Sequence, residues 1–198
     1  MKDSEMKKIV VIASSTGGPK ALHQVVSGLD KNLDAPVVIV QHMPAGFTAS
    51  LADRLNRIGG ISVSEVVNGE KLEKGHVYLA KGGVHLEITR DAKGNLVFRE
   101  NTMDPIGGLR PCANVTYKSL CTVDMDYIVC AVLTGMGNDG TEGITKLKEK
   151  KKIYTIAQDE KTCVVYGMPR MIVMNGLADS VLPLEGIGKE ITKKVGVR

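Results

Sequence analysis

Ile9-Val10-Val11-Ile12-Ala13-Ser14-Ser15-Thr16-Gly17-Gly18-Pro19-Lys20 is an apolar run that breaks into small hydroxyl residues and two glycines. Such a run, bounded by turn residues, reads as a strand feeding a tight turn. Ala21, Leu22, Val25, Val26 and Leu29 then recur at helical spacing. The turn therefore opens a helix whose first backbone N–H groups are uncommitted and whose dipole is positive at that end. A junction of this kind binds an anion, exposes a nucleophile, or is an ordinary βα loop, and the stretch alone leaves all three open.

The pattern repeats outward. Ala35 to His42 reads as a second buried strand, and Gly46 to Ile58 as a helix burying Phe47, Leu51, Ala52 and Leu55. From Ile61 to Glu100 the texture changes to short runs, Ile61 to Val67, His76 to Ala80, Val84 to Thr89 and Leu96 to Arg99, separated by Asn-Gly, Gly-Gly and Lys-Gly-Asn turns. These predict antiparallel hairpins. Asn101 to Pro111 is irregular, Cys112 to Val123 is helical in spacing, and Asp126 to Leu133 is the most apolar strand. After it, Thr134-Gly135-Met136-Gly137-Asn138-Asp139-Gly140 opens a helix to about Lys151. The rest reads as a strand from Ile153 to Gln158, a short strand around Thr162 to Tyr166, a helix from Pro169, a strand from Leu177 to Val181 and a basic last helix. Strands separated by helices predict an α/β fold, a doubly wound and mostly parallel sheet with helices on both faces, carrying an antiparallel hairpin insertion at about residues 61–100.

Composition narrows the function classes. The 198 residues are 43 % hydrophobic and 24 % charged, with a net charge of +4 and both signs interspersed. Only 4 % are aromatic, a poor supply for base stacking, so no nucleic-acid partner is expected. No stretch approaches the ~20 apolar residues of a membrane helix, and the charged start, Met1 to Lys8, lacks a signal-type run, so a cytoplasmic protein without membrane insertion is expected. Cys112, Cys121, Cys130 and Cys163 form no C-x-x-C pair and read as core thiols. No metal site and no cofactor are expected. His23, His76 and His85 each read as surface or satisfied histidines. Met136, Met168 and Met171 default to packing, and Lys146 to Lys152 to the solvated, dipole-complementing end of a helix.

In parallel sheets, sites form at the carboxyl ends of the strands. Three such ends carry polar residues: Ser14, Ser15 and Thr16; His42; and Asn138 and Asp139. A serine is a poor nucleophile until a base takes its proton, an imidazole can do so, and a carboxylate can hold the imidazole in one tautomer. The rival lies in the same residues. Gly135-Met136-Gly137-Asn138-Asp139-Gly140 matches G-x-G-x-x-G, follows a strand and opens a helix, with Asp159 about 20 residues on, as in a dinucleotide site. Against it, Asp139 places a carboxylate where the pyrophosphate would bind.

Four blocks go further: Ser15-Thr16-Gly17-Gly18, Gln41-His42-Met43-Pro44-Ala45-Gly46-Phe47, Leu133 to Gly140, and Cys163-Val164-Val165-Tyr166-Gly167-Met168-Pro169-Arg170. In order and across nearly the whole chain, they resemble the signature blocks of the chemotaxis protein-glutamate methylesterase family, CheB. The resemblance implies a single methylesterase-like catalytic domain over residues 1–198, standing without the family's receiver domain. It implies Ser15, His42 and Asp139 as the catalytic triad, and Thr16 with the Met136 backbone N–H as oxyanion donors. It implies hydrolysis of glutamate γ-methyl esters on chemotaxis receptors, with glutamine deamidation as a further activity. The partners it implies are methylated chemoreceptor cytoplasmic helices, with a separate regulatory protein as a further candidate. Two departures stand out. Ala13 replaces a glycine of the family's G-x-S-x-G, which a negative φ would tolerate. Gly108-Leu109-Arg110-Pro111-Cys112-Ala113-Asn114 stands where the family has Arg-His-Arg-Pro-Ser-Val-Asp. That second departure motivates the alternative of a weakened or silent receptor-binding or protein-binding module of the same fold.

Overall fold

A computed structural model describes residues 6–198; the start of the charged N-terminal stretch, residues 1–5, lies outside the described residues. The opening run forms β1 (Lys8–Ser14), and its burial explains its composition. Ile9, Val11 and Ala13 point into one core and Val10 and Ile12 into another, one on each face of the sheet, so no position in the run can be polar. Its neighbours are β2 (Val37–Gln41) and β7 (Tyr127–Val132), both parallel to it, with Ser14 opposite Gln41 and Ala13 opposite Val132. Adding β3 (Ser62–Glu65), β4 (His76–Leu79), β8 (Ile153–Gln158) and β9 (Ser180–Leu182) gives a seven-stranded sheet in the order β3-β4-β2-β1-β7-β8-β9, with every pairing parallel.

Helices α1 (Gly18–Ser27), α2 (Thr48–Asn56) and α6 (Leu184–Val195) cover one face through Leu22, Val25, Leu51, Leu55, Ile187 and Ile191. The other face is covered by α3 (Ala113–Ser119), α4 (Thr141–Lys150) and α5 (Met168–Met174), together with the hairpin β5 (His85–Arg90) and β6 (Leu96–Asn101). Tyr117 is fully buried there, its hydroxyl donating to the Val11 carbonyl at 3.2 Å, and burial pushes its phenol well above the usual range.

The doubly wound sheet stands as expected from the sequence, with three differences of detail. The antiparallel insertion is confined to β5 and β6; the two runs before it join the main sheet as parallel β3 and β4. Short alternating runs serve either pairing; here α2 carries the chain from β2 to a parallel β3, and the long loop of residues 66–75 carries it back to a parallel β4. Phe47 is 60 % exposed instead of buried, because Gly46, at φ +87°, turns the chain before α2 begins at Thr48. Around Thr162 to Tyr166 there is no strand. Glu160–Thr162 is a single 3-10 turn, and the Val164 and Val165 N–H groups donate to the Thr134 hydroxyl instead of a ladder.

Candidate active site

The carboxyl ends of β2, β1 and β7 lie side by side, and the polar residues follow each end. His42 N still donates to the Ser14 carbonyl at 3.0 Å, and Ser15 N to the Thr134 carbonyl at 3.0 Å, so the three chains remain in register one step beyond the sheet. Ser14 and Ser15, alike in the sequence, stand in different settings. Ser14 is buried and its hydroxyl is spent on Gln41 Oε1 at 2.7 Å, whereas Ser15 is partly exposed at the edge.

His42 and Asp139 meet directly, Nε2 to Oδ2 at 2.7 Å, with both side chains buried. Asp139 is 4 % exposed and holds a full set of donors: besides His42 these are the N–H groups of Ala113, Asn114 and Gly140 and the thiol of Cys112. Burial alone would raise its carboxyl pKa, but the His42 bond, the Ala113 and Asn114 N–H groups and the Cys112 thiol outweigh burial and hold it below the ordinary carboxylate value. An ionised Asp139 only accepts, so His42 Nε2 carries the proton and Nδ1 the lone pair. Nδ1 is buried with no hydrogen-bond partner among the described residues, and no hydrogen bond joins Ser15 to His42 there. The imidazole is thus oriented through one nitrogen and left free to accept a proton at the other.

The turn after β1 is not the strained serine elbow of an α/β-hydrolase. No described residue other than glycine has positive φ; the left-handed step falls on Gly17, at φ +82°, which also caps α1. Ala13 lies in regular strand, so its methyl is accommodated. Thr16 and Gly135-Met136 flank Ser15. Gly135 lies so close that an added Cβ would stand 2.7 Å from Ser15 Cβ and 2.5 Å from Met168 Sδ. Its position is fixed on both sides, by Gly135 N donating to the Val165 carbonyl and by Gly167 N and Met168 N donating to the Gly135 carbonyl. The N–H groups of Thr16 and Met136 donate to no described group. The Met136 side chain is 75 % exposed instead of packed, while Met168 is buried.

Sequence reading passed over the residues that hold this edge together. Gln41 bridges Ser14, Ser15 and His42. The Thr134 hydroxyl donates to the Thr16 carbonyl at 2.9 Å. Gln158 accepts from Thr134 N at 2.8 Å. Their one signal in the sequence is a polar residue at the close of an apolar strand. The altered segment is built into the same assembly: Cys112 donates to Asp139, and Asn114 Oδ1 accepts from Gly140 N and Gly143 N at the start of α4. The dinucleotide alternative fails here, because Asp139 and Asn114 already fill that helix end and Asp159 is spent capping the 3-10 turn through Thr162.

His85 is fully buried, its Nε2 3.1 Å from the Asp104 carbonyl, and so tethers the loop that leads to Cys112; His23 is exposed, and His76 bonds the Ser64 hydroxyl. All four cysteines are free. Among the described residues no group of three or more His, Cys, Asp or Glu side chains is arranged to hold a metal, and no helix is long and apolar enough to cross a membrane.

Fold and edge residues together define an α/β protein that gathers a serine, a histidine and an aspartate at the carboxyl ends of a parallel sheet. A family model described as CheB methylesterase matches residues 10–191, and the chain belongs to that family. A protein-glutamate methylesterase/protein-glutamine glutaminase 1 of Syntrophomonas wolfei is 45 % identical over 193 residues, 96 % of this chain and 54 % of that protein. The Bacillus subtilis protein-glutamate methylesterase/protein-glutamine glutaminase is 42 % identical over 189 residues, 96 % of this chain and 53 % of the relative. The chain thus spans about half the length of the curated relatives it matches. The crystal structure of the Thermotoga maritima CheB methylesterase catalytic domain superimposes with a TM-score of 0.91 at 41 % identity, covering 96 % of this chain and 99 % of that one.

Proposed function

We propose that the chain is a serine esterase that hydrolyses glutamate γ-methyl esters on the cytoplasmic helices of chemoreceptors and also deamidates receptor glutamines, acting in the cytoplasm. The observation that carries this reading is the His42–Asp139 pair, which leaves His42 Nδ1 unpartnered on the strand end next to Ser15. Ser15 Oγ attacks the ester carbonyl and its proton passes to His42 Nδ1. Asp139 keeps the proton on Nε2 and stabilises the imidazolium, a base contribution of order 10²- to 10⁴-fold. The tetrahedral oxyanion is met by the Thr16 and Met136 N–H groups, each worth about 10²- to 10³-fold. It collapses as His42 protonates the departing methoxide, and methanol leaves. Water, deprotonated by His42, then attacks the acyl-enzyme and frees the glutamate and Ser15. With glutamine the same sequence releases ammonia.

The altered Leu109–Asn114 segment supports this reading over a silent binding module, since Cys112 and Asn114 both spend their side chains on the Asp139 assembly. The deciding assay is methanol release from methylated receptor by the wild type and by Ser15→Ala. Loss of release by at least ~10³-fold in the variant is expected; retention of most of it would overturn the assignment.

A further inference from the structure

Gln41 closes β2 and is 2 % exposed, and its whole amide is spent on the site. Nε2 donates to the Ser15 carbonyl at 2.9 Å and to the His42 carbonyl at 3.2 Å, while Oε1 accepts the Ser14 hydroxyl at 2.7 Å. The two carbonyls lie where the sheet ends. The last ladder bond, His42 N to Ser14 O, is one step behind them, and beyond it the chains part, one into α1 and the other into the loop before α2. No strand partner remains for either carbonyl; Ser15 O also accepts Gly18 N at 2.8 Å in the turn, and the Gln41 side chain is the group that reaches both. The first residue of α1 is shaped around it: a Cβ on Gly18 would stand 1.8 Å from Gln41 Oε1. Ser14 completes the arrangement, because its hydroxyl proton fixes which end of the amide faces the carbonyls.

We infer that Gln41 is a positioning residue for the reaction, a clamp that ties the backbone of the nucleophile to the backbone of the base. This rests on the serine-esterase reading of Ser15 and His42. A buried amide with only a packing role could meet its hydrogen-bond needs on any nearby group. Here both of its protons go to the two residues whose separation governs proton transfer. Ser15 Oγ makes no hydrogen bond to His42 among the described residues, so their approach is set by the backbones that carry them. Misplacement by about 1 Å is enough to cost on the order of 10²-fold.

The test uses a fluorophosphonate that labels an activated serine, with the labelling rate of Ser15 read by mass spectrometry and methanol release from methylated receptor measured in parallel. Gln41→Met keeps length and volume and removes every polar contact. Its folded fraction is expected to label about 10- to 100-fold more slowly, with kcat lowered in step, KM within about twofold, and a melting temperature lowered by a few degrees because the Ser14 hydroxyl and the two carbonyls lose a buried partner. Ser14→Ala removes only the Oε1 anchor and is expected to give a smaller loss in the same direction. A Gln41→Met protein that melts lower but whose folded fraction labels at the wild-type rate would reduce Gln41 to a structural role and overturn the inference. Should that variant not fold, labelling of Ser14→Ala at the wild-type rate overturns it equally. A wild-type chain left unlabelled overturns the serine-esterase reading itself, and the clamp with it.

Discussion

The thiol of Cys112 donates to Asp139 Oδ1 across 3.1 Å, on the carboxylate oxygen opposite the one that holds His42. Burial, then the charge of Asp139 itself, pushes this thiol up to about 12, so it stays protonated and remains a donor throughout the physiological range. Removing it in Cys112→Ala leaves the carboxylate more basic and the imidazolium more favoured. The acidic limb of the pH–rate profile then moves to higher pH, while Cys112→Ser leaves it in place. The lost bond and the small cavity together cost about 1–2 kcal/mol in denaturant unfolding. An alanine variant with an unmoved acidic limb would separate Cys112 from the chemistry.

Asp139 links the site to acid stability. Its carboxyl pKa is lower in the folded chain than the ordinary 3.8, so the folded state holds fewer protons than the unfolded one as pH falls toward that value. Its contribution is complete above the unfolded value and is lost as pH drops through the folded one. Asp139→Asn therefore lowers stability by about 2–3 kcal/mol at neutral pH, and its deficit against the wild type shrinks only below about pH 4. Urea unfolding at pH 3 to 7 measures this, and a deficit that is constant down to pH 3 counts against the ionised, donor-saturated carboxylate.

Gly135→Ala places a methyl 2.5 Å from Met168 Sδ and 3.1 Å from Ser15 N. The methionine can yield, the Ser15 backbone cannot, and the displaced loop carries Met136 N away from Ser15. A loss of about 1–3 kcal/mol in stability is expected, and esterase activity should fall beyond what the folded fraction accounts for. Activity that tracks the folded fraction alone would mean that Met136 N takes no part.

Nicotinamide dinucleotide should leave the melting temperature unchanged, since the start of α4 is already filled by Asn114 and Asp139. Calorimetry with millimolar NADH checks this. Concentration-dependent protection would revive the glycine-rich loop as a nucleotide site.

Much of this was legible because burial on both faces leaves a sequence little freedom. Ile9–Ala13 and Tyr127–Val132 had to be central strands, and His42 and Asp139 had to emerge at the edge of the same sheet, after β2 and β7. The choice of Ser15 over Ser14 was not legible from composition or spacing; it came from the family resemblance, and the structure supplies a reason in the Ser14 hydroxyl being spent on Gln41. The parallel pairing of β3 and β4 was hidden because four-residue strands carry the same alternation in either direction. Gln41, Thr134 and Gln158 were passed over because a buried polar residue at a strand end looks, in sequence, like the start of a loop.

The order of the strands has one further consequence. His42 and Asp139 are 97 residues apart and meet only because β7 docks beside β1. Closing so long a loop is slow and uncompensated until that docking occurs. A break between Gly107 and Gly108, in the exposed loop before Cys112, would leave Ser15 and His42 on one fragment and Asp139 with its donors on the other. Reactivity regained on mixing the two pieces would then time the pairing of β1 with β7, making the serine a clock for the assembly of its own sheet.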